Sequence, residues 1–170
     1  ILRFFNVCSA LKKEQVGEFH NPETHLIPII VQKVMNKKNI LIYGKNFKTK
    51  DGSAIRDYIH INDVIRGINL SLNHLAQKKN KSVILNLGTG RGYSNIEIIN
   101  ELKKITKNNV KFSFFKKRPG DLPRLVCTNK KAKLILGWEP KSSKLKKIIV
   151  DEFYWQNYLK KHSLFKKTIY

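Results

Sequence analysis

Val83-Ile84-Leu85-Asn86-Leu87-Gly88-Thr89-Gly90-Arg91-Gly92-Tyr93-Ser94 is the stretch whose reading decides the fold. Its first five residues read as a strand, apolar enough for burial on both faces, as strands of parallel sheets are. The glycines break that strand. Ser94 stands where a helix N-cap belongs, and a helix is predicted from there to about Thr106. Strand, tight turn and helix in direct succession are the unit of an α/β fold. The turn also invites a dinucleotide-loop reading. Its spacing is G-x-G-x-G rather than G-x-G-x-x-G, and no acidic residue ends a strand about twenty residues on. A tight turn at a helix start is therefore favoured over a cofactor phosphate loop.

Upstream, residues 1–6 read as a strand and 7–24, with Gly17 and Pro22, as loop. Leu26, Ile29, Ile30, Lys33 and Val34 fall at helical spacing within 25–37. Short strands are predicted over 39–43 and 55–60. Asn62 or Asp63 should cap a helix to about Gln77, with Val64, Ile65, Ile68, Leu72 and Leu75 as its apolar face. Downstream, 110–115 reads as a strand and 129–136 and 143–160 as helices. The two most core-like strands, 1–6 and 83–87, find few neighbours among these elements. A parallel sheet buried on both faces needs more, so the chain reads as part of a larger α/β protein.

Composition narrows the function classes. The formal charge is +22, but of 34 basic residues 28 are Lys and only 6 are Arg. The lysines pair at predicted helix ends, as Lys37-Lys38, Lys103-Lys104 and Lys160-Lys161. A nucleic-acid reader would favour Arg for bidentate contacts and aromatics along one stripe. A solvated basic surface, with weak salt-sensitive attraction to polyanions, is the better reading. No apolar run approaches a membrane span. Cys8 and Cys127 are too few for a disulfide framework, and the five His are scattered singly with no zinc-like Cys/His spacing. No metal is expected, and a reducing cytoplasm is the default compartment.

The order of short motifs is more specific. Leu2-Arg3-Phe4-Phe5-Asn6 is followed by His25-Leu26-Ile27-Pro28, then by Asp51-Gly52-Ser53-Ala54-Ile55-Arg56-Asp57-Tyr58-Ile59-His60. Asn86-Leu87-Gly88-Thr89-Gly90-Arg91-Gly92-Tyr93-Ser94, Arg118-Pro119-Gly120-Asp121 and Leu136-Gly137-Trp138 complete the set. Each alone is weak; in this order, over roughly residues 1–160, they resemble the UDP-glucose 4-epimerase family of the extended short-chain dehydrogenase/reductase superfamily. The resemblance implies a Rossmann-type α/β fold in which this chain is the C-terminal part: the last sheet strands interleaved with the smaller substrate-binding domain across residues 1–170. The family's Gly-rich dinucleotide fingerprint and Tyr-x-x-x-Lys pair are absent, and the chain opens on Ile1 without Met. The NAD-binding half and all catalytic residues are thus expected outside this chain.

By the same resemblance, the intact enzyme interconverts UDP-glucose and UDP-galactose through a 4-keto sugar with bound NAD, as a homodimer. This chain would supply the UDP-sugar grip. Arg56 and Arg118 match diphosphate-binding arginines, and bidentate Arg suits that charge. Asp121 matches an acceptor for the uridine ribose, and Tyr43 an aromatic that packs on uracil, with Leu41 and Ile42 offering backbone groups to the base. Asn6 matches an amide at the sugar or phosphate, and Phe5 a position lining the nicotinamide pocket. His25 and Leu26 open a helix whose free N–H groups favour an anion. Leu125 borders the hexose, where bulk disfavours an N-acetyl group. His60 has no Ser or Cys partner motif and reads as structural. Ordinary packing, capping or surface roles compete at each position. The alternatives are another nucleotide-sugar epimerase or decarboxylase of the superfamily, and a basic nucleic-acid-binding module.

Overall fold

A computed structural model describes residues 1–77, 82–107 and 109–162. In chain order it contains β1 (Leu2–Phe4), β2 (Asn6–Cys8), α1 (Leu26–Met35), β3 (Ile40–Tyr43), β4 (Ile55–His60), α2 (Ile61–Ala76) and β5 (Leu85–Leu87). There follow β6 (Gly92–Ser94), α3 (Asn95–Thr106), β7 (Phe112–Phe115), β8 (Arg124–Leu125), α4 (Lys130–Leu136) and α5 (Leu145–Lys161). The α/β expectation holds. Four parallel pairs form among the described residues: β1 with β5, β2 with β4, β3 with β7, and β4 with β8.

The opening strand differs from its prediction. It is two strands jointed at Phe5, because the chain crosses there from one sheet to another. Leu2 lies opposite Leu85, whereas Asn6 lies opposite Tyr58, and the Phe5 N–H donates to Leu87 O. Two strands went unpredicted, β6 and β8. Both are too short to show a period, and both pair with the first half of β4, with Ile55 opposite Ser94 and opposite Arg124. Gly92 permits this crowding. A Cβ there would sit 2.4 Å from Ile55 Cγ2 and 2.6 Å from Val126 Cγ2.

Caps set the helix starts. Ser94 caps α3 through a full capping box with Glu97, as its position predicted. The α2 cap is His60, not Asn62 or Asp63: its ring accepts the Asn62 N–H at 3.0 Å. Asp63 holds the approach to α5 instead, accepting from Lys141 N, Ser142 N and Ser143 Oγ.

Most of the apolar core lies where α1, α3 and α5 pack together against β3, through Ile30, Val31, Ile42, Ile99, Leu102 and Ile148. A second cluster joins α2, α4 and β5 around fully buried Trp138, whose indole N–H donates to Asp63 O. The expected apolar face of α2 is corrected here. Val64 is buried, but Ile65, Ile68, Leu72 and Leu75 are exposed. Within this chain α2 packs through Val64 and Gly67, where a Cβ would meet Leu87 at 2.6 Å. Among the described residues, no helix is long and apolar enough to cross a membrane.

Candidate functional site

The alternation of β4 distributes its residues between a cavity and the core. Arg56 and Tyr58 line a cavity of about 1130 Å³, while Asp57 and Ile59 are fully buried on the opposite side. Phe5, Asn6, His25, Leu26, Leu41, Tyr43, Arg118, Asp121 and Leu125 line the same cavity, so ten of the eleven expected site residues come together. Ile42 does not. Its side chain is wholly buried in the main core. The ladder that joins Ile40 N to Lys111 O and Gly44 N to Phe115 O turns the backbone groups of Ile42 toward β7 by period two. The backbone groups of Leu41 point to the other edge of β3.

Arg56 is a fixed guanidinium. It donates to Ile55 O and Leu122 O and pairs with Asp121 at 3.3 Å, tying the 118–122 loop to β4. Asp121, expected to accept from a ribose, thus already shares one oxygen with Arg56. Arg118 is different: it is exposed, its guanidinium lies 4.1 Å from the centre of the Tyr43 ring, and it has no ion-pair partner among the described residues. Phe115 meets Tyr43 edge-on. Asn6 donates through its side-chain amide to Asp57 O at 2.7 Å, which joins β2 to β4 beside the cavity. Leu125 lies opposite Arg56 in the ladder, with its side chain partly exposed.

The glycine turn is filled by the protein itself. Thr89 N, Thr89 Oγ1 and Gly90 N donate to the Asp57 carboxylate at 2.9, 2.5 and 2.9 Å, and Cys127 N at 3.3 Å. A Cβ on Gly88 would sit 2.6 Å from Cys127 Sγ and 3.0 Å from Asp57 Oδ2. An internal carboxylate therefore occupies the place a phosphate would take in a dinucleotide loop. Sequence reasoning passed over Asp57; its cue was an Asp in a strand and a turn rich in N–H groups with no ligand fingerprint. For NAD, the fit of this chain is limited to the cavity wall at half-buried Phe5.

His60 is structural, as expected. The Asn62 N–H donates to its Nδ1, so the ring proton sits on Nε2 and faces Asp151 Oδ2 at 3.1 Å. Burial holds its pKa below the usual imidazole value, against the pull of Asp151. Burial also pushes the Cys8 thiol well up and the Cys127 thiol up to about 12, the latter helped by Asp57, so neither is poised as a nucleophile.

His25 begins α1, but its helix end carries its own anion: Glu23 Oε1 accepts from Thr24 N and His25 N, both at 2.8 Å. The reading of the histidines as scattered is overturned. Loop 17–25 gathers His20 and His25 with Glu18 and Glu23, and Glu18, His20 and His25 border the cavity. The spacing Glu-x-His-x-x-Glu-x-His was the available signal.

The family model described as the NAD dependent epimerase/dehydratase family matches residues 1–88. A UDP-glucose 4-epimerase of Lactobacillus helveticus is 40% identical over 155 residues, which cover 91% of this chain and 47% of that protein. The UDP-glucose 4-epimerase of Stenotrophomonas maltophila, solved with bound NAD and formylated UDP-arabinopyranose, superposes with a TM-score of 0.89 at 31% identity, over 95% of this chain and 48% of that one. The Bifidobacterium longum enzyme, in complex with NAD+ and UDP, gives 0.84 at 29%, over 92% and 47%. The chain thus spans about half the length of the relatives it matches. The motifs, the fold and the family model agree: this chain belongs to the NAD dependent epimerase/dehydratase family.

Proposed function

We propose that this chain grips the nucleotide of a UDP-sugar within a UDP-glucose 4-epimerase. The observation that carries the reading is the convergence of ten expected substrate and cofactor residues on one cavity. Arg118, free of any carboxylate among the described residues, binds the diphosphate; Arg56, held by Leu122 O and Asp121, shapes the wall behind it. Tyr43 offers its ring to uracil and the Leu41 backbone its free edge. Asp121 keeps acceptor capacity for the ribose. Leu125 favours the plain hexose over an N-acetylated one. When bound, NAD would supply hydride acceptance and return at C4 of the hexose; Phe5 forms part of the wall facing it. Holding the substrate by the remote nucleotide leaves the hexose free to present either face. The residues that move the hydroxyl proton lie outside this chain. The same reading includes a homodimer, for which sedimentation analysis is the measure, and a cytoplasmic location, in keeping with the two free thiols.

The test is titration calorimetry of UDP into the intact enzyme. Arg118→Ala should lose more affinity than Arg118→Lys, which removes only the planar fork, with losses on the order of 1–3 kcal/mol. Equal affinity in wild type and both variants would make Arg118 a plain surface residue.

A further inference from the structure

We propose that Glu18, His20, Glu23 and His25 form a zinc site on the loop at the mouth of the cavity. Each offers one ligand atom, and all these atoms lie within 4.8 Å of one another. A tetrahedral ion with bonds of about 2.0–2.2 Å needs donors about 3.3–3.6 Å apart, so both imidazoles would draw back from Glu18 while Glu23, at 3.9 Å from His20 and 3.7 Å from His25, would close in slightly. Both imidazoles turn the same atom inward. Nδ1 of His20 lies 2.6 Å from Glu18 Oε1, Nδ1 of His25 also contacts Glu18 Oε1, and the rings meet edge-on with centres 5.0 Å apart. Two Nδ1 atoms converging with two carboxylates match the nitrogen–oxygen donor sets of zinc. Magnesium and calcium prefer oxygen alone.

Charge points the same way. In a chain of net charge +22, neither Glu18 nor Glu23 has a Lys or Arg within ion-pair distance among the described residues; their ionic partners are the two histidines.

The scaffold is built to hold such a site. Trp155 Nε1 donates to Glu18 O at 2.6 Å, and its ring packs so closely on Gly17 that a Cβ there would approach within 2.5 Å. The N–H groups of Thr24 and His25 orient the Glu23 carboxylate, as second-shell donors orient metal ligands. Four protein ligands fill a tetrahedral shell, which makes the site structural. It would pin the 17–25 loop to α5. The inference does not rest on the proposed substrate.

The experiment uses Zn²⁺ alone, titrated into protein stripped of metal, with a chromophoric chelator as competitor. Co²⁺ substitution is read by its visible spectrum. One equivalent should bind, and the Co²⁺ form should show the intense bands of tetrahedral coordination. His20→Ala with His25→Ala should abolish both signals, and Glu18→Gln should weaken binding at least ~10-fold. His162→Ala, at the end of α5, should change nothing. Absence of stoichiometric binding to the wild-type chain, or binding unchanged in the double variant, would overturn the proposal. Because the wild-type titration decides by itself, a misfolded variant cannot shield it.

Discussion

Asp57→Asn tests the account of the glycine turn most directly. In the folded chain one carboxylate oxygen accepts from Thr89 N and Thr89 Oγ1, and the other from Gly90 N and Cys127 N. An amide of the same shape keeps one acceptor and sets an NH₂ group against two N–H donors. If the amide oxygen faces Thr89, the N–H groups of Gly90 and Cys127 lose their partner. A buried donor left unpaired costs about 1–3 kcal/mol. The Cys127 bond is longer and contributes less, so a loss of about 2–5 kcal/mol is expected, against a typical total stability of 5–15 kcal/mol. Urea unfolding of wild type and Asp57→Asn in the intact enzyme, compared at matched m-values, reads this difference. Thr89→Val, which removes only the hydroxyl, should lose less. A shift below about 0.5 kcal/mol for Asp57→Asn would refute the reasoning.

Burial pushes the Glu152 carboxyl up to about 7 from 4.5. The folded state therefore holds a proton that the unfolded chain releases, so stability should fall as pH rises from about 4.5 to 7 and level off above. The span is worth roughly 3 kcal/mol, and Glu152→Gln should flatten it in melting curves taken without metal. The 170-residue chain alone should show no epimerase turnover, since it carries no Tyr-x-x-x-Lys pair; conversion of UDP-galactose by the purified chain would contradict this. The exposed α2 stripe of Ile65, Ile68, Leu72 and Leu75 and the two-stranded β1–β5 pair should gain protection when a polypeptide corresponding to the part of its relatives that this chain does not span is added. Amide exchange at Leu85–Leu87 is the readout, and strong protection in the chain alone would show a self-sufficient domain.

Local chemistry sufficed wherever the signal lies within a few neighbouring residues. The break at Gly88, the Ser94 cap, the period of α1 and the existence of α3 and α5 were all legible in the sequence. So was the α/β class, and the resemblance marked ten of the residues that line the cavity. Only the tertiary structure decided which partners those residues meet. Asp57 and Thr89 are far apart in the chain, so nothing local marks the turn as filled by an internal carboxylate. The α2 stripe has the period of a buried face, yet period reports amphipathicity and not which neighbour is present, and here Gly67 faces the core while Leu72 does not. Ile42 and Leu41 are adjacent and equally apolar; only the register with β7 sends one into the core and leaves the other at the cavity. His20 and His25 read as isolated because their spacing fits no helix face. The loop bends back over Trp155, and that fold of the backbone brings both imidazoles onto the same glutamate.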